Sequence, residues 1–141
     1  MSQSPESVVL AFVKAINRQD VDALIELMAP EHRFVDSLGN IFEGREKMRA
    51  GWRAYLDMVP DYTIAVEETY RDGSVVVILG EARGTFAPDG KMQAENRWRT
   101  PAAFRVLMEK GKVAEWRGYT RTMSRSGAVW RQRSDVSAFH E

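Results

Sequence analysis

The sequence predicts one α+β domain in which three N-terminal helices pack on one face of a curved antiparallel sheet, giving a cone. Two observations carry this. Apolar residues recur at helical spacing only within the first sixty residues. From there to about residue 122 the chain falls into four segments rich in β-formers, separated by turn chemistry. At 141 residues with 44% hydrophobic content, the chain is long enough for one substantial core and too short for two.

Each element has its own signal. Ser4-Pro5 is a cap and first-turn pair, and Val8, Val9, Phe12, Val13 and Ile16 follow at helical spacing, which predicts a helix over roughly residues 5–18. Asp20 caps a short second helix carrying Leu24, Ile25, Leu27 and Met28, and Ala29-Pro30 ends it. His32 to Asp36 reads as a short strand, and Ser37-Leu38-Gly39-Asn40 as a turn. A third helix over residues 45–59 places Met48, Trp52, Tyr55 and Val59 on one face before Pro60. Residues 62–71, 74–87, 92–108 and 112–122 then form an antiparallel meander joined at Asp72-Gly73, Pro88-Asp89-Gly90 and Lys110-Gly111. Pro101, inside the third of these, marks an edge position or a bulge.

Composition excludes several classes of function. Twenty basic residues balance twenty acidic ones, so no overall positive field attracts nucleic acid. With no cysteine, thiolate chemistry, disulfides and thiolate metal sites are out, and two histidines are too few for a His-rich metal site. The N-terminus lacks a signal-peptide pattern and no apolar run is long enough to span a bilayer, so a cytoplasmic protein with no membrane contact is expected. No nucleotide-binding or other cofactor motif is present.

Strand alternation sorts the sheet into two faces. Gly80, Ala82, Gly84 and Phe86, then Asn96, Trp98, Thr100, Ala102, Phe104 and Val106, and later Ala114, Trp116, Gly118 and Thr120, fall on the inner one. Small residues opposite large aromatics leave room for a small apolar or aromatic ligand, unless the helices sink into the space and close it. Asp36 has two readings. At the end of a strand beside Phe34 it is a cavity acid able to act as acid or base; before Ser37-Leu38-Gly39 it is a turn-initiating cap. His32 lies ~13 Å along the strand, too far for a dyad with Asp36, and is expected at the surface. Glu68 shares a face with Tyr62 and Ile64, although a bulge or an exposed strand end accounts for it more simply. The outer face carries Arg83, Arg97, Arg99, Arg105, Arg117 and Arg121 against Glu81 and Glu115, as a solvated or dimer-forming face would.

The order of helices and strands resembles the nuclear transport factor 2-like superfamily, with its ketosteroid isomerase and SnoaL-like polyketide cyclase branches. The resemblance runs over residues 4–122 and is carried by the 12–20 segment, by Phe34-Val35-Asp36, by residues 42–48, and by residues 98–106 running into 111–119. It implies the cystatin-like cone, and it matches Asp36 to the isomerase's general base. Phe12, Ala102 and Trp52 stand where the isomerase has a tyrosine, a protonated aspartate and a supporting tyrosine, so that enzyme's oxyanion donors have no counterpart here. The expectation is a cone domain over residues 1–123 with an extension over 124–141. It binds a small, largely apolar molecule through Phe12, Phe34, Trp52, Tyr55, Phe86, Asn96, Trp98, Ala102 and Trp116. Asp36 supplies cofactor-independent isomerase, cyclase or hydrolase-type chemistry; a non-catalytic binding or association module is the alternative. A homodimer through the outer face is expected, with Arg117 and Arg121 near Glu81 or Glu115 of a second copy.

Overall fold

A computed structural model describes residues 3–120; Arg121 and the 124–141 extension lie outside them. Helices α1 (Pro5–Asn17) and α2 (Val21–Glu26) are followed by strands β1 (Met28–Val35) and β2 (Ile41–Glu43), helix α3 (Arg45–Met58), and strands β3 (Thr63–Asp72), β4 (Val75–Thr85), β5 (Arg97–Glu109) and β6 (Lys112–Thr120). The predicted caps form: the Ser4 side chain accepts from the Ser7 N–H and Asp20 from the Ala23 N–H, each 3.1 Å. Lys110 and Gly111 both take positive φ, 51° and 78°, the geometry of a tight hairpin turn between β5 and β6.

The three helices and the four-strand meander are as the sequence predicts, and the sheet then grows beyond it. Its order is β2-β1-β6-β5-β4-β3, with β1 parallel to β6 and antiparallel to β2. The sheet is therefore mixed. The second helix stops at Glu26, and β1 passes through Ala29-Pro30 because the Val113 N–H donates to the Leu27 carbonyl and Met28 pairs with Val113. Pro30 falls where the β1–β6 register shifts, between Met28 and Arg33, and its missing N–H breaks no regular ladder there. Pro101 is neither at an edge nor in a bulge of the β4–β5 pair, since β5 is interior and the register runs unbroken through Glu81↔Pro101. The described pairing with β6 begins one residue later, at Ala102↔Thr120, and the slip in that pair is at Leu107/Met108.

The buried face of α1, including Val9, Phe12 and Ile16, packs on β3, β4 and β6. Helix α3 rests on β1 and β2. Asn17, at the end of α1, holds the outermost strand by two bonds: its Nδ2 donates to the Ile64 carbonyl (2.9 Å) and its Oδ1 accepts from the Ile64 N–H (2.8 Å). That amide stands in for a missing neighbour strand and satisfies part of an edge. Along β3 the register shifts between Val66 and Glu68, and Glu68 is exposed, its carboxylate accepting from the Tyr70 hydroxyl. The bulge keeps it out of the core.

Two of the small inner-face residues are filled by neighbours. A Cβ on Gly80 would lie 1.9 Å from the Ala65 carbonyl oxygen, and one on Gly84 would lie 2.4 Å from a Val59 methyl. Backbone and helix end occupy those places, and space is left only farther along the concave face.

Candidate functional site

That remaining space is a cavity between α3 and the concave side of the sheet. Trp52 and Tyr55 come from α3, Phe34 from β1, Trp98 and Phe104 from β5, and Trp116 from β6. Tyr62, just before β3, and the small residues Ala82 and Gly118 complete the apolar wall. Asp36, Ser37, Thr100 and Thr120 supply its polar groups. The volume is about 60 Å³, counted as space open to the centre of a water molecule. At roughly 10–15 Å³ per water by that measure, the cavity takes on the order of four to six waters.

The wall turns corners. Trp52 meets Tyr55 at 87° (centroids 6.4 Å apart) and Phe34 at 89° (6.1 Å), and Tyr55 meets Tyr62 at 85° (5.1 Å). Tyr62 continues to Trp98 at 6.0 Å and 45°. On the sheet side, Phe104 and Trp116 of the wall continue to Phe12 behind them in an inclined stack, with interplanar angles of 27° and 31° and both centroid separations 4.8 Å.

Asp36 follows directly on β1, is 6% exposed and borders the cavity. It also caps the turn: Oδ1 accepts from the Leu38 and Asn40 N–H groups (both 2.9 Å), and Oδ2 from the Asn40 side-chain amide (3.0 Å). The backbone closes the same turn, with the Gly39 N–H donating to the Asp36 carbonyl and the Asp36 N–H to the Asn40 carbonyl. Asp36 therefore caps the turn as read, and the same turn places its carboxylate at the cavity edge.

Of the residues the sequence singled out, Phe34, Trp52, Tyr55, Trp98 and Trp116 come together with Asp36 around this space. Phe12 is wholly buried behind Trp116, and Ala102 is buried on the inner face of β5 without bordering the cavity. Phe86 and Asn96 line a separate hollow with Pro88, Asp89 and Gln93, because a short 3₁₀ turn at Ala94–Asn96 delays the start of β5 and takes Asn96 off the strand. Tyr62, Thr100, Phe104 and Thr120 were not among the expected ligand residues. The same period-two alternation that places Trp98 and Trp116 inside also puts Thr100, Phe104 and Thr120 on the inner face, whereas Tyr62 precedes its strand.

His32 is a correction. It is fully buried, not at the surface. Its Nδ1 donates to the Val113 carbonyl at 2.8 Å, so β6 covers the imidazole that the sequence left beside solvent. Burial lowers its pKa to about 4 against the pull of that bond; the positive charge of Arg33 lowers it further and Glu115 opposes. On the outer face, Glu115 is buried and paired with Arg33 (2.6 Å) and Arg105 (3.5 Å), while Arg99 pairs with Glu81 (3.2 Å). Among the described residues no group of His, Asp and Glu is arranged to hold a metal ion, and no helix is long and apolar enough to cross a membrane.

Residues 9–116 match the family model described as the SnoaL-like domain. Functionally curated proteins give no match. Among solved structures, the chain is similar to an uncharacterized cystatin-fold protein from Novosphingobium aromaticivorans, at 21% identity and TM-score 0.72 over 83% of this chain and 98% of that one. A protein from Shewanella denitrificans named as a SnoaL-like polyketide cyclase gives 16% identity and TM-score 0.76, over 91% and 98%. A hypothetical protein with a ketosteroid isomerase-like fold from Catenulispora acidiphila, in complex with trimethylamine, gives 25% and 0.70, over 91% and 92%.

Proposed function

Because the chain belongs to the SnoaL-like domain family, we propose that it binds a small, largely apolar molecule in the aromatic cavity and that Asp36 moves a proton on that molecule without a cofactor. The carrying observation is that the cavity's polar edge includes a carboxylate whose position is fixed by three donors. A general base must be held at the reacting atom before its pKa matters. The cavity's size suits a ligand of few heavy atoms, in keeping with the compact amine bound by the Catenulispora acidiphila neighbour. Phe12 and Ala102 carry no side-chain donor, so the tyrosine and protonated aspartate of a steroid isomerase have no counterpart at those positions.

Mass spectrometry of the purified protein identifies what occupies the cavity, and turnover of that molecule is then compared between wild type and Asp36→Asn. The substitution keeps an acceptor for the Leu38 and Asn40 N–H groups, so stability changes by no more than about 1–2 kcal/mol, while proton transfer is abolished. Unchanged turnover assigns Asp36 to the turn alone and leaves a non-catalytic binding module of the same fold.

The outer sheet face is our proposed dimer surface. Arg83 and Arg99 stand directly opposite each other across β4 and β5; Glu81 already partners Arg99 within the chain, so it is Arg83 that an acidic group from a second copy offsets. Light scattering at micromolar concentration should give twice the monomer mass; a monomer there removes this reading.

A further inference from the structure

We propose that the cavity's ligand is a compact organic cation, a methylated or quaternary ammonium group, enclosed by Trp52, Tyr55, Tyr62 and Trp98 with Asp36 as its counter-charge. This rests on the small-molecule reading above and adds the sign of the ligand's charge to it.

Shape is the first support. Rings meeting at 85–89° make corners, not the parallel walls that sandwich a flat guest. A rounded group with substituents in four directions fills a corner and meets aromatic surface on several sides. A cation within about 6 Å of a ring centroid is drawn to the face by the ring quadrupole, most strongly when water is excluded. Trp and Tyr are the better partners, and four of them border this cavity besides Trp116.

Charge is the second. Among the described residues, Asp36 is the only charged side chain bordering the cavity; no lysine, arginine or histidine neutralises it from the wall. All three of its contacts use the carboxylate as an acceptor, the role of the ionised form. A neutral apolar guest strips water from that carboxylate and returns nothing for it. A cation restores the lost interaction in a setting where charges attract more strongly than in water. Ser37, Thr100 and Thr120 are hydroxyl-bearing and add no competing positive charge.

The decisive probes are choline and 3,3-dimethylbutan-1-ol, which have the same shape and differ by a quaternary nitrogen in place of a carbon. Each is titrated calorimetrically into the full-length protein. Choline is expected to bind about tenfold or more tightly than its neutral isostere, with the ratio reduced in Asp36→Asn. Equal affinities, or tighter binding of the alcohol, overturn the cation class and leave the apolar small-molecule reading standing. Binding of neither overturns both. A preference that survives intact in a folded Asp36→Asn protein overturns the counter-charge role. The wild-type comparison needs no variant, so it decides the matter even if Asp36→Asn fails to fold.

Discussion

Replacing Trp116 by alanine is expected to destabilise the protein by about 3–5 kcal/mol, the range for truncating a fully buried large aromatic. Trp116 is 2% exposed and is the middle ring of a stack that runs from Phe12 on α1 to Phe104 on β5, with 4.8 Å on each side. Its removal takes the contact surface from two further buried rings and merges the vacated space with the aromatic cavity it borders. Neither neighbour can collapse into that space easily, because Phe12 is fixed on a helix whose whole buried face is engaged, and Phe104 is fixed in an interior strand. Against a typical total of about 5–15 kcal/mol, such a loss brings the variant close to unfolding at ambient temperature. Urea denaturation followed by circular dichroism checks it. The midpoint should fall sharply at constant slope. A loss below about 1 kcal/mol means that α1 is held to the sheet elsewhere and that the stack is not a principal tie.

Much of this arrangement is legible in the chain because it depends on local periodicity. The faces of α1 and α3 follow from 3.6-residue spacing, and the inner positions of β5 and β6 from period two, so Trp52, Tyr55, Trp98 and Trp116 converge as read. What was not legible depends on partners distant in sequence. The strand β2 is three residues long, too short for alternation to register, and exists because Phe42 pairs with Phe34 after the Asp36 turn. The parallel β1–β6 pair joins residues more than eighty positions apart, and nothing in a local pattern announces it. Gly80 shows the same limit from the other side. As a small inner-face residue it reads as unfilled space, whereas the Ala65 carbonyl of a bulged neighbour strand fills it. The sequence leaves Asp36 between two readings because turn chemistry and position beside the cavity are separate signals in it and coincide only in three dimensions.

His32 yields the second large effect, and it follows from the pairing the sequence could not show. The Val113 carbonyl, an acceptor, fixes the proton on Nδ1, and Nε2 is buried without a hydrogen-bond partner among the described residues. Protonation therefore places a new N–H and a full charge where neither water nor an acceptor receives it. That is why the folded pKa lies near 4 while the ordinary value is 6.5. Above about pH 6.5 the imidazole is neutral in folded and unfolded chains alike, and the contribution is fully present. As pH falls from 6.5 towards 4, the unfolded chain takes up a proton that the folded one refuses, and stability is lost, by about 3 kcal/mol in all and about 2 kcal/mol between pH 7 and 5. Between pH 7 and 5 most carboxylates are still ionised, and the second histidine, His140, is common to wild type and a His32 variant, so the difference between the two isolates His32. His32→Leu removes the titrating group at the cost of the Val113 bond, lowering stability at pH 7 while flattening its decline on acidification. Unfolding free energies of wild type and His32→Leu, measured by denaturant at pH 7, 6 and 5, give the two slopes. Parallel slopes overturn the assignment of a buried neutral imidazole; a wild-type slope steeper by about 2 kcal/mol across that interval supports it.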